Sequence, residues 1–301
     1  MFSYNQAICY SGYREHHSPR TKIYPSESEV LEDLLILSKN FAYIRMYDPY
    51  HHAQTVLKVI KEHKIPLKVM VGVEPRGEIS NPNCPWGGLH TDEAINEHKK
   101  TNYDQLDLLA SLCHQYEDII LAASVGNENT SSWHHNLMDP QTIAEHAKYL
   151  KTKINHPVTF CEGAYNWQTH GNVIANEVDF ISIHSYPVWL KTPLKQAVKS
   201  TIDDYEKTKS LYKNKPIVFT EFGWATMSNG PMIKEETNEE SQQKYLDEIL
   251  IWGQKEKVTM FIFEAFDEPW KGSNQADEPE KHWGIYDVYR NPKLWAKYRL
   301  K

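Results

Sequence analysis

Eight short apolar runs recur along the chain, rich in β-branched and aromatic residues. They are "QAICYSG" near the start, "FAYIRMY" (41–47), "PLKVMVGVE" (66–74), "IILAASVGNE" (119–128), "PVTFCEG" (157–163), "VDFISIHSYP" (178–187), "PIVFTEFGW" (216–224) and "VTMFIFEAFDEPW" (258–270). Each is apolar throughout rather than alternating, which predicts parallel strands buried on both faces. Between them the period lengthens to that of helices. "HHAQTVLKVIKEHK" carries Val56, Val59 and Ile60 on one stripe. Ser26 with Glu29 predicts a capping box, and Thr237 with Glu240 a second one. Pro140 falls early in a helix, where its missing N–H costs little, and Thr192-Pro193 repeats the device. Residues 164–176 have a weaker pattern that fits a short helix.

Eight strands alternating with helices imply crossover connections and a parallel sheet. Eight such units in 301 residues, without linker or repeat, predict an α/β fold of the (β/α)8 (TIM) barrel type as a single domain, 1–301. A doubly wound dinucleotide fold is the alternative, but its G-x-G-x-x-G signature is missing.

In a barrel of this kind, active groups sit at the C-terminal ends of the strands. Those ends carry Arg45, Tyr47 and Asp48; Glu74 and Arg76; Asn127 and Glu128; Glu162; His184 and Tyr186; Glu221; and Glu264, Asp267, Glu268, Trp270 and Lys271. They converge on one acid-rich mouth. Glu128 and Glu221 each follow an apolar strand directly, on strands four and seven. Two carboxylates facing across a cleft can cleave a glycosidic bond, one as acid and the other as nucleophile or base.

The motifs "SVGNE", "FTEFGW" and "FIFEAFDEPWK", in that order, resemble glycoside hydrolase family 17 of clan A. "CYSGYREHHSPR", "YIRMYD" and "KHWGIYDVYRNPK" extend the resemblance over nearly the whole chain. It implies a (β/α)8 barrel that cleaves β-1,3-glucan (laminarin-type) with retention. By that resemblance Glu128 is the acid/base and Glu221 the nucleophile. Asn127 would hold the sugar 2-hydroxyl and Tyr186 would orient the nucleophile. Arg45, Tyr47, Glu264 and Lys271 match cleft-lining positions of the family, and Glu268 lies beside the last two. Phe222 and Ala225 depart from the plant Glu-Ser-Gly-Trp-Pro motif and favour a microbial branch, some of whose members transfer glucan chains. A clan A hydrolase acting on another β-glycan and a non-catalytic glycan-binding barrel are the other readings.

Aromatic residues reach 12%, and flat rings suit sugars. Trp133, Trp167, Trp189, Trp224 and Trp270 are the expected stacking residues, with Trp224 foremost because it follows the nucleophile. The fifteen histidines include no H-x-H and no H-E-x-x-H, so no catalytic metal and no cofactor is expected. His184, at a strand end, is the one expected near substrate. Four cysteines at irregular spacing fit free thiols. A net charge of −7 argues against a nucleic-acid partner, and no apolar run is long enough for a membrane span. The expected partner is a β-glucan, met by a monomer. The expected compartment is the cytoplasm, or the secreted or periplasmic space if a leader has been removed.

Overall fold

In the computed structural model, which describes residues 2–301, the eight apolar runs become eight parallel strands closed into a barrel. They are β1 (Gln6–Cys9), β2 (Tyr43–Met46), β3 (Lys68–Gly72), β4 (Ile120–Asn127), β5 (Val158–Gly163), β6 (Ile181–Ser185), β7 (Ile217–Phe222) and β8 (Met260–Ile262). Sequence neighbours pair, and β1 closes on β8 with Gln6 beside Met260 and Ile8 beside Ile262. Each strand is shorter than its apolar run, because the run continues into the connection at the site. The last shrinks most: the chain leaves the sheet after Ile262, and a cis peptide joins Phe263 to Glu264.

The helices are α1 (Glu27–Leu37), α2 (His51–His63), α3 (Asp92–Gln115), α4 (Pro140–Lys151), α5 (Ala164–His170), α6 (Asn172–Glu177), α7 (Leu194–Leu211), α8 (Glu239–Glu256) and α9 (Leu294–Arg299). The weak pattern over 164–176 becomes two short helices, α5 and α6. The Ser26–Glu29 capping box forms as expected. The second does not: Asn238 caps α8 by accepting from the Ser241 N–H, while the Thr237 hydroxyl donates to the Lys234 carbonyl. Asn is as good a cap as Ser or Asp, so the helix starts one residue later. Pro140 opens α4 as expected, whereas Pro193 stands just outside α7 as its cap residue.

The helical stripes fill the space outside the sheet. Val56, Val59 and Ile60 of α2 are buried against the strands, as are Leu106 and Leu109 of α3 and Leu246 and Ile249 of α8. Inside the sheet, the Thr159 hydroxyl donates to Ser182 Oγ at 2.8 Å, so these buried polar groups are paired. The C-terminal segment folds back onto β1 and α1. Arg290 donates to both oxygens of buried Asp33, at 2.7 and 2.6 Å, and to the Gly12 carbonyl at 2.9 Å. All four cysteines are buried and free. Among the described residues, no helix is long and apolar enough to cross a membrane.

Candidate active site

The C-terminal ends of β2, β4, β6 and β7 carry the predicted catalytic pair and its neighbours. The strand registers slip there, between Ser124 and Asn127 against β5, and between Ile183 and His184 against β7. Such irregularities re-aim side chains at a barrel rim. Glu128 follows β4 with φ at +57°, in the left-handed region that a branched-free Glu tolerates only under constraint. Its N–H donates to the Cys161 carbonyl at 2.8 Å, which holds it there. Glu162, fully buried on β5, supports the turn beyond: it accepts from the Thr130 N–H, the Thr130 hydroxyl and the Ser131 hydroxyl. Burial, and then the Glu128 charge, push the Glu162 carboxyl above the usual range against these hydrogen bonds.

Glu221 lies in β7, opposite His184 of β6. Arg45 Nη1 donates to its Oε1 at 2.6 Å, and the Tyr186 hydroxyl donates to its Oε2 at 2.6 Å. Burial alone would raise the pKa of this carboxyl. The charges of His184 and Arg45, with the hydrogen bonds from Tyr186 and Arg45, reverse that and hold it at about 2. The other guanidinium nitrogen of Arg45 donates to Asn127 Oδ1 at 2.5 Å. His184 Nδ1 stands 2.9 Å from Glu128 Oε1 and 3.5 Å from Glu221 Oε2. Burial opposes charging this imidazole. The Glu221 charge, the Cys161 side chain and Glu128 outweigh that and lift it to about 10.

One oxygen of Glu128, one oxygen of Glu221 and a nitrogen of His184 all lie within 4.8 Å of one another. Three such donors can ligate a cation, and Arg45 also pairs with the Glu221 member of the group. The arrangement suits two carboxylates with unequal surroundings. Glu221 is kept ionised by several partners, while Glu128, on a partly exposed side chain, pairs with the imidazole.

The glycine that follows the nucleophile motif has a packing reason. A Cβ on Gly223 would stand 2.1 Å from the Phe263 carbonyl oxygen, where the chain crosses after β8. Trp224 does not line the cleft as expected. It is 1% exposed, and its indole N–H donates to the Glu236 carbonyl, so it anchors the loop after β7 from below. Trp167 is likewise core, while Trp189 and Trp270 are half-buried and Trp133 is exposed.

The acids after β8 share a partner. Glu264 and Glu268 are buried, and both grip Lys271, which is at 3.0 Å from Glu264 Oε2 and also paired to Glu268. The Trp270 indole donates to Glu268 as well. These two carboxylates therefore position Lys271. Burial and the neighbouring Glu268 push the Glu264 carboxyl well up, against the Lys271 ammonium. Tyr47 stacks under the Arg45 guanidinium at 4.4 Å. Glu280 was not legible, because it lies in an irregular segment far from any strand. Burial pushes its carboxyl to about 7; Lys271 opposes this, and the Glu128 and Glu221 charges add to it.

A closed parallel barrel with two carboxylates in unequal surroundings at its mouth is an arrangement suited to glycoside hydrolysis. The profile of the BtgE/BtgC glycoside hydrolase domain matches residues 7–284, and the chain belongs to that family. The relative named "Probable glucan endo-1,3-beta-glucosidase btgC" from Aspergillus fumigatus is 24% identical over 300 residues, covering 91% of this chain and 40% of the relative. The chain thus spans about two fifths of that relative's length. An endo-laminarinase from Formosa Hel1_33_131 superposes with a TM-score of 0.83 at 24% identity, covering 97% of this chain and 85% of that one. A glycoside hydrolase family 17 β-1,3-glucanosyltransferase from Rhizomucor miehei gives 0.73 at 19% identity, covering 96% and 95%. These two likenesses are of fold.

Proposed function

We propose that the chain cleaves β-1,3-glucan by double displacement, with Glu221 as nucleophile and Glu128 as acid/base. The observation that carries this reading is the spacing and asymmetry of the pair. Oxygens of the two carboxyls come within 4.8 Å, close to the ~5–5.5 Å of retaining enzymes and short of the ~6.5–9.5 Å that leaves room for water. The names of the Aspergillus relative and of the two fold neighbours support a β-1,3-glucan substrate.

In the first step a Glu221 carboxylate oxygen bonds to the anomeric carbon. The glycosidic C–O bond breaks, and the leaving oxygen takes its proton from Glu128. In the second step water gives a proton to Glu128 while its oxygen attacks the anomeric carbon, and Glu221 leaves as carboxylate. Arg45 and Tyr186 keep Glu221 ionised and oriented. Asn127, held by Arg45, stands beside Glu128, where a sugar 2-hydroxyl can reach it. Lys271 extends the polar wall.

The test is time-resolved product analysis on linear β-1,3-glucan, with proton NMR of the first-formed anomer and β-1,4-glucan as control. The β-anomer appearing first is the expected result. The α-anomer would overturn double displacement, and cleavage of β-1,4-glucan alone would overturn the substrate. Products longer than the substrate would mean that a sugar hydroxyl replaces water in the second step.

A further inference from the structure

We infer that Trp86 and Trp133 form a stacking platform for glucan rings beyond the cleavage point, a subsite outside the catalytic cluster. The inference rests on the glucan-cleaving reading above. Trp86 is 64% exposed and Trp133 44% exposed, although their rings pack together at 6.2 Å between centroids. Trp133 also leans on His134, which stacks on His135. Two large exposed indoles side by side on one rim are an unusual surface to leave in water.

The support beneath them is rigid. Trp86 belongs to the loop after β3 and Trp133 to the loop after β4, and the two loops are stitched together. The Asn81 amide donates to the carbonyls of Ser132 at 2.8 Å and His134 at 2.9 Å. The Glu78 and Ile79 N–H groups both donate to the Leu137 carbonyl, and the Gly77 N–H to Asn136 Oδ1. A platform already ordered loses little entropy on binding.

The platform is also continuous with the catalytic strand. Trp133 lies five residues beyond Glu128, so the chain between them reaches at most ~18 Å. Two turns shorten that path: the Ser131 N–H donates to the Glu128 carbonyl and the His134 N–H to the Ser131 carbonyl. Buried Asn129 ties the pieces, accepting from the Asn127 N–H and donating to the carbonyls of Pro75 and Asn136. A polymer cleaved at Glu128 therefore passes this rim within a few rings.

The chemistry selects a β-linked glucose chain. Equatorial hydroxyls leave the axial C–H faces of glucopyranose apolar, and these stack on indoles. The two indole planes differ by 53°, so successive stacked rings must turn relative to each other. A β-1,3-linked chain turns in this way, whereas the β-1,4 ribbon stays flat.

The first experiment compares the wild type with Trp86→Ala, Trp133→Ala and the double variant, on laminarin and on laminaritriose. For the double variant, KM on laminarin should rise about 10-fold, as loss of two ring contacts implies, and the loss on laminaritriose should be several-fold smaller. An unchanged KM, or equal losses on both substrates, would overturn the platform. The second leaves the tryptophans intact. In Glu221→Ala, N-bromosuccinimide oxidation of Trp86 and Trp133 is followed by peptide mass spectrometry. Laminarin should slow oxidation at both positions at least fivefold and cellohexaose should not; no protection by laminarin would overturn the proposal even if the alanine variants fail to fold. A wild type that cleaves no glucan would overturn the parent reading instead, and is read separately.

Discussion

At the residue scale, the two glutamates differ by what touches them. Glu221 takes charge and hydrogen bonds from Arg45, Tyr186 and His184, and these hold it ionised far below neutrality. Glu128 is held by its backbone and one imidazole. Replacement of the nucleophile should therefore be the more damaging. Glu221→Ala is expected to lower kcat by about 10³–10⁶-fold, as removal of a catalytic nucleophile does. Added azide should restore part of the activity and yield the α-glycosyl azide, read by NMR. Glu128→Ala should cost about 10²–10⁴-fold on glucan, the range of general acid catalysis, and much less on an aryl glycoside whose leaving group needs no proton. Equal losses on the two substrates would remove Glu128 from the acid role.

At the element scale, the loops and the C-terminal return decide stability as much as the strands do. Asp33 of α1 is fully buried and carries Arg290, with Tyr10 and Arg14 also donating to it. Asp33→Ala would leave the Arg290 charge buried without a partner, at a cost of about 3–5 kcal/mol in unfolding free energy, measured by urea denaturation. Asp33→Asn should cost less, because it keeps one acceptor. Most elements were legible in the sequence, because buried parallel strands read as continuous apolar runs and helices as stripes. Glu128, Glu221, His184 and Tyr186 were legible because each closes such a run. Trp224 was misread: its position after Glu221 looked like a wall of the cleft, but Gly223 turns the chain under the Phe263 carbonyl and sends the indole inward. Glu264 and Glu268 were read as cleft residues; the structure adds that both pair with Lys271, a contact that sequence position does not disclose. Glu280 and Trp86 were missed because they sit in irregular segments, where no period marks which way a side chain points.

At the scale of the whole molecule, stability should depend on pH through the site. Glu221 is lowered from 4.5 to about 2, so its contribution is full above 4.5 and is lost as pH falls through 2. His184 is raised from 6.5 to about 10, so its contribution is full below 6.5 and is lost as pH rises through 10. The thermal midpoint should thus sag between about pH 6.5 and 10 in the wild type, and His184→Asn should flatten that limb. An alkaline limb of equal slope in both proteins would mean that His184 carries no excess charge in the fold.

The contacts around the pair have a consequence for the molecule as a mechanical object. From Asn127 the path runs through Arg45 to Glu221, across His184 to Glu128, and back to Asn127 by a peptide bond. It is a closed circuit threaded through β2, β4, β6 and β7, so each strand end is held from two directions. Cutting a circuit once frees every member, and cutting it a second time adds little. Arg45→Ala and Asn127→Ala should therefore combine to less than the sum of their separate effects on unfolding free energy, by about 0.5–3 kcal/mol in a double-mutant cycle. Strict additivity would mean that the four strand ends hold their places independently, and that the barrel alone, without the circuit, aims the two carboxylates at one bond.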